Sequence, residues 1–142
     1  MKKGFDYIGV GVCCLCHDGK KNIVLLKRGK NARDEHGNWD IVGGGIEFGD
    51  GIEKTIRKEV MEELGSEVVS CEFLGYYDAH REYQGQPTHW VQLAFKVLVN
   101  QDKVKLNEPH KFDELRWFRL DALPSPMHSQ FPKFLEKLGH RL

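Results

Sequence analysis

Apolar residues recur along this chain at two periods, every second residue in six short stretches and every third or fourth in two others. Alternation with period two marks half-buried strands, and it predicts them over residues 6–16, 22–28, 39–42, 68–77, 88–99 and 115–120. Ile52, Ile56, Val60 and Leu64 share one helical stripe, which predicts a helix over residues 51–64. A second amphipathic stretch, residues 128–138, places Phe131, Phe134, Leu135 and Leu138 at helical spacing. A turn rich in glycine and charge, residues 29–38, separates the second and third strands. Strands with one central and one terminal helix predict an α/β or α+β layered domain. With no repeat, linker or low-complexity segment, one domain over residues 1–142 is expected.

The central helix carries unusual chemistry on the edge beside its apolar stripe. Residues three and four apart share a helix face, so Glu59 faces Glu62 and Glu63, the last on the boundary of the stripe. Like charges at that spacing oppose helix formation by about 0.2–0.5 kcal/mol per pair, and a cation would relieve them. Mg²⁺ prefers such carboxylate oxygens and keeps waters for exchange with phosphate. A solvated acidic face neutralised by Lys54, Arg57 and Lys58 is the alternative. Gly43, Gly44, Gly45, Gly49 and Gly51 immediately precede the helix. Such a loop can bring carbonyls to a metal and amides to a phosphate without a Cβ in the way. Asp50 with Glu53 has the form of a capping box, and Gly65 that of a left-handed terminator.

Residues 44–66, GGIEFGDGIEKTIRKEVMEELGS, resemble the signature of the Nudix hydrolases, G-x5-E-x7-R-E-U-x-E-E-x-G-U, where U is bulky and apolar. Gly44, Glu59, Val60, Glu62, Glu63 and Gly65 match it. Asp50 stands in place of Glu, Lys58 in place of Arg, and Ser66 in place of an apolar residue, with Val68 nearby as a substitute. Leu25-Leu26-Lys27-Arg28, Trp39 and Trp117-Phe118 extend the likeness over nearly the whole chain. The resemblance implies an α/β/α sandwich around a mixed sheet. It also implies Mg²⁺-dependent hydrolysis, with Mn²⁺ as a substitute, of a nucleoside diphosphate linked to another group. Glu59 and Glu63 would be principal metal ligands, the Gly44 carbonyl another, and Glu62 a ligand or the group that deprotonates water. Lys58, a flexible point charge where Arg would offer a planar fork, would orient Glu62 from one turn away. The MutT-like format favours a (d)NTP cleaved to NMP and pyrophosphate. ADP-ribose or another nucleotide-sugar is the alternative, and a non-catalytic nucleotide-binding module a third, disfavoured by the retained glutamates.

Further positions follow from the same resemblance. Arg28 and Gly43 would meet phosphate, Glu47 would stand near the metals, and Glu108 or Glu114 would supply a further carboxylate. His80, His89 and His110 are candidate acids, and Trp90, Tyr76, Tyr77 and Tyr83 candidate base stackers or core aromatics.

Composition narrows the partners. Lysine plus arginine and aspartate plus glutamate are both 21, so no basic field draws in long nucleic acid, and a small phosphorylated ligand is expected. The start, MKKGFDYIGVGVCCLC, has two lysines before an apolar run, yet its alternation reads as a strand and not a signal peptide. No stretch is long enough to span a membrane, and a cytoplasmic chain is expected. Cys13, Cys14, Cys16 and Cys71 lack zinc-site spacing and are expected as buried free thiols, adjacent ones on opposite strand faces. A homodimer stays open.

Overall fold

The computed structural model describes residues 1–142. Seven strands and two helices follow in the order β1 (Gly9–His17), β2 (Asn22–Arg28), β3 (Trp39–Asp40), β4 (Val42–Gly45), α1 (Ile52–Leu64), β5 (Val68–Tyr83), β6 (Gln86–Val99), β7 (Phe112–Arg119) and α2 (Phe131–Leu138). They form one mixed sheet of order β3-β2-β1-β6-β5, with β4 paired to β1 and β7 to β2. β1 and β6 run parallel and the other pairings are antiparallel.

The sheet is covered on both faces. Val12, Cys14, Val24 and Leu26 pack with Ile56, Val60 and Leu64 of α1 on one side. Their alternates Cys13, Leu15, Ile23 and Leu25 pack with Phe131, Phe134 and Leu138 of α2 on the other. Strands buried on both faces read as continuous apolar runs, which is why NIVLLKR of β2 carries little polar alternation. The α/β/α sandwich expected from the resemblance is the observed architecture, and Cys13 and Cys14 do face opposite layers. No helix is long and apolar enough to cross a membrane.

Several boundaries differ from expectation. β1 begins at Gly9, because residues 2–7 fold into a turn closed by Gly4 N–H to Tyr7 O at 2.7 Å. The third stretch breaks at Ile41, whose N–H goes to Asp40 Oδ1 at 2.8 Å and not to the ladder. β5 and β6 run on into a hairpin turned at Gln84 (φ 50°) and Gly85 (φ 81°), the two successive positive φ angles of a two-residue turn. The polar residues Asp78, His80, Arg81 and Glu82 had masked that extension. β7 starts earlier, at Phe112, and α2 later, at Phe131.

α1 starts without the capping box. Gly51 is the N-cap and no side chain caps the helix. Asp50 Oδ1 instead accepts from Lys54 Nζ at 2.9 Å, and Glu53 pairs with Arg57 at 3.3 Å. Ile52, in the unpacked first turn, is 44% exposed and leaves the stripe. Gly65 does terminate the helix in the left-handed conformation, φ 64°. Cys71 is the exposed exception among four free thiols. Burial pushes the Cys13 thiol up to about 12 and raises Cys14 and Cys16 also, so these three stay protonated and inert.

Candidate active site

A cleft of about 260 Å³ opens where β1, β4 and the β5–β6 hairpin meet the segment leading into α2. Gly43, Gly44 and Gly45 form one wall, and Glu63 is the α1 carboxylate that lines it. Arg28, Arg33, Arg81 and Lys111 bring positive charge, and Trp90, Tyr77, Phe131 and Phe134 the aromatic surface.

Glu63 is 3% exposed, and its one hydrogen bond comes from Gly43 N–H to Oε2 at 3.2 Å. Burial pushes its carboxyl well above the ordinary glutamate range; Lys111 and the Gly43 amide oppose this, while Glu59 and Asp40 add to it. Glu59 is half-buried and also raised, first by burial and then by Glu62, with Lys111 and Lys58 pulling the other way. Its carboxylate lies against Gly44, where an added Cβ would collide with it and displace it. Glu62 is exposed. The oxygens of the three glutamates do not close within 4.8 Å of one another, as two other acid–histidine groups in the chain do.

The loop after β6 completes this side. Asn107 Nδ2 donates to the Met61 and Glu62 carbonyls at 3.2 and 3.0 Å, and Lys105 N–H to Leu64 O at 2.9 Å, satisfying the end of α1. Anchored so, the loop sets Glu108 and Lys111 close enough for their charges to act on Glu59. Lys111 is a residue that sequence reasoning missed. The Asn-Glu-Pro turn before it was the available signal, but it gives no distance to the helix.

Of the other expected residues, Arg28, Trp90 and Tyr77 line the cleft. Arg28 is committed to carboxylates: NH1 to Asp40 Oδ2 and NH2 to Asp34 Oδ1, both at 3.2 Å. Lys58 is exposed and forms no ion pair with Glu62; its side chain finds no hydrogen-bond partner at one-turn spacing, unlike Lys54. Glu47 is exposed and paired with Lys3 at 3.1 Å. Glu114 pairs with Arg116 at 2.7 Å. His110 is exposed outside the cleft, and His80 and His89 lie on the hairpin face turned away from it. Trp90 and Tyr77 line the cleft, whereas Tyr76 is exposed and the Tyr83 ring lies under Arg33, 4.3 Å from its guanidinium.

The far wall is held by a polar knot that no sequence pattern announced. Glu35 accepts from Ser129 N–H at 2.7 Å, Ser129 Oγ at 2.6 Å, Asn38 Nδ2 at 3.1 Å and Arg81 NH2 at 2.6 Å. His128 Nε2 stands 3.0 Å from the same carboxylate. Beside this knot, Gln130 Oε1 is buried with no hydrogen-bond partner.

The donor set fits a hard divalent cation. It is built of oxygens, and Glu63 is a buried carboxylate with one weak amide contact and no ion pair, which leaves charge for a cation to neutralise.

Comparison with known proteins agrees with this geometry. The NUDIX domain family model matches residues 8–138. The RNA pyrophosphohydrolase of Caulobacter vibrioides is 32% identical over 131 residues, covering 81% of this chain and 73% of that protein. The nucleoside triphosphatase NudI of Escherichia coli is 28% identical over 94 residues, covering 61% of this chain and 65% of that protein. Among solved structures, a MutT NUDIX hydrolase from Burkholderia pseudomallei superposes with a TM-score of 0.80 at 28% identity, over 93% of this chain and 98% of that one.

Proposed function

The chain belongs to the Nudix hydrolase family and is an enzyme acting on phosphorus anhydrides, and on that premise we propose that it cleaves a (d)NTP to NMP and pyrophosphate with Mg²⁺, or Mn²⁺ in its place. The observation that carries this reading is the buried, unneutralised Glu63 beside Glu59 on a glycine-walled cleft.

Glu59 and Glu63, with the Gly44 carbonyl, would hold the metal. When bound, a divalent cation supplies neutralisation of the phosphate oxygens and acidifies water for in-line attack at phosphorus. Glu62, exposed where Glu59 is half-buried and Glu63 buried, would be free to accept a proton from the attacking water. Lys111 lines the cleft, close enough for its charge to act on Glu59 and Glu63, and would meet a phosphate oxygen there. Arg33 presents a guanidinium that lies over the Tyr83 ring, 4.3 Å from its centroid, and 5.7 Å from that of Phe5, and is engaged by no carboxylate. It takes the phosphate-gripping part that Arg28, tied to Asp34 and Asp40, does not fill. Trp90, half-buried in the cleft wall, would offer ring surface to a nucleobase.

A second reading is favoured by the 32% identical RNA pyrophosphohydrolase: the triphosphate would be the 5′ end of an RNA. The test is product analysis over a panel of NTPs, dNTPs, ADP-ribose and a 5′-triphosphorylated oligoribonucleotide, with Mg²⁺, Mn²⁺ or EDTA. The proposal expects NMP and pyrophosphate from free triphosphates and none with EDTA. Faster release from the oligoribonucleotide would transfer the reading to RNA, and binding without turnover across the panel would make the chain a non-catalytic module.

A further inference from the structure

Asp78, His80 and His89 stand together on the β5–β6 hairpin, outside the cleft. Tyr77, Ala79 and Arg81 line the cleft, so their alternates Asp78 and His80 point to the opposite face of β5. His80 and His89 are direct cross-strand partners, with ring centroids 4.2 Å apart and planes tilted by 36°. Asp78 Oδ1 lies 2.8 Å from His89 Nε2, and one ligand atom from each of the three residues falls within 4.8 Å of the others.

A surface ion pair accounts for Asp78 and His89 and for nothing more. His80 makes no hydrogen bond and no ion pair, yet its ring is held against that of His89. Two imidazoles at this distance repel when both are protonated, whereas one cation shared between their nitrogens satisfies both. We propose that Asp78, His80 and His89 bind a divalent transition-metal ion of the Zn²⁺ class, Ni²⁺ and Cu²⁺ included, at a site separate from Glu59, Glu62 and Glu63.

Two imidazole nitrogens and one carboxylate oxygen suit Zn²⁺, Ni²⁺ and Cu²⁺, whereas Mg²⁺ requires an oxygen octahedron. Metal–ligand bonds of about 2.0–2.2 Å set tetrahedral donors about 3.3 Å apart, within reach of the present spacing by side-chain rotation. The hairpin supplies rigidity, because the two-residue turn at Gln84 and Gly85 fixes the register that opposes the histidines. Exposure leaves the remaining coordination positions to water. The other acid–histidine group, Asp34, Glu35 and His128, has its carboxylates already occupied by Arg28, Arg81 and Ser129. Lys133 Nζ donates to the Asp78 main-chain carbonyl, and the Asp78 carboxylate has the His89 ring as its one hydrogen-bond partner.

Isothermal titration of the full chain with ZnCl₂ and with NiCl₂, under excess Mg²⁺ to occupy the carboxylate site, tests this. One ion per chain is expected, and His80→Ala and His89→Ala should each weaken binding by about tenfold or more, at least the loss seen when a supporting residue of a metal site is removed. Substoichiometric Ni²⁺ should broaden the ring proton resonances of His80 and His89 before those of the other histidines. Cys71→Ser should leave the affinity unchanged, since Cys71 is the exposed thiol that could compete. Absence of saturable binding, or affinity unaltered in both histidine variants, overturns the site. Loss of binding in Cys71→Ser overturns it equally.

Discussion

Glu63 is confined between the Gly43 amide and the α1 packing face, 3% exposed and without an ion pair. Its folded-state pKa is raised above the ordinary value of 4.5, by burial first. A raised carboxyl makes the folded, metal-free protein bind a proton that the unfolded chain would release. Stability therefore falls as pH rises through the folded pKa, and it is regained only when a cation neutralises the charge. Glu63→Gln removes the charge while keeping the shape, so its urea midpoint in EDTA at neutral pH should equal or exceed that of the unaltered chain. Mg²⁺-dependent turnover should fall by at least about 10–100-fold, the loss that follows removal of even a supporting residue of a metal site. A lower midpoint in EDTA would show the carboxylate to be stabilising and sink the argument. Gly44 acts through contact and not charge: Gly44→Ala drives a methyl into the Glu59 carboxylate. Misplacement on that scale costs about 10²-fold in kcat, and a Mg²⁺ titration of the rate should show a weakened Mg²⁺ affinity beside it. Retention of full rate would mean that Glu59 can stand elsewhere.

At the scale of elements, legibility followed packing. α1 was readable because Ile56, Val60 and Leu64 face one core and the glutamates the next edge, and Gly65 closed it as the sequence implied. The start of the same helix was not, because Asp50 had two local partners to choose between and Lys54 won. Glu59, Glu63 and Gly44 were legible through their spacing, whereas Lys111 and Gln130 reach the cleft from loops whose course no periodicity encodes. The Glu35 knot is the extreme case, since it joins residues 94 apart in sequence. Glu35 has positive φ, 51°, which costs roughly 1–2 kcal/mol for a residue with a Cβ and is offset by its donors. Burial acts to raise its carboxyl, but the Ser129 hydroxyl and amide, His128 and Asn38 together hold it below 4.5. A depressed pKa contributes stability above the unfolded value and loses it as pH falls through the folded one. Glu35→Gln should then cost about 1–2 kcal/mol at neutral pH, and the difference should close below about pH 4. Urea melts at the two pH values decide it; a gap that persists in acid would assign the effect to shape alone.

At the scale of the whole molecule, the sheet separates two cores that serve different ends. The α1 core sets the height of Glu59 and Glu63, whereas the α2 core is also the cleft wall, because Phe131 and Phe134 belong to both. Ile56 and Phe134 are each 1% exposed, so truncation of either to alanine leaves a cavity, about 2–5 kcal/mol for Ile56→Ala and about 3–5 kcal/mol for Phe134→Ala. Their kinetic effects should diverge. Assayed at a temperature where both variants are folded, Phe134→Ala enlarges the space beside Tyr77 and Gln130 and should raise KM with kcat less affected, as expected when uniform binding is lost. Ile56→Ala loosens the seat of α1 without touching the cleft, and should lower kcat and the apparent Mg²⁺ affinity with KM nearly unchanged. Parallel changes in KM and kcat for the two variants would mean that the layers move as one body and that the division of labour across the sheet is not real.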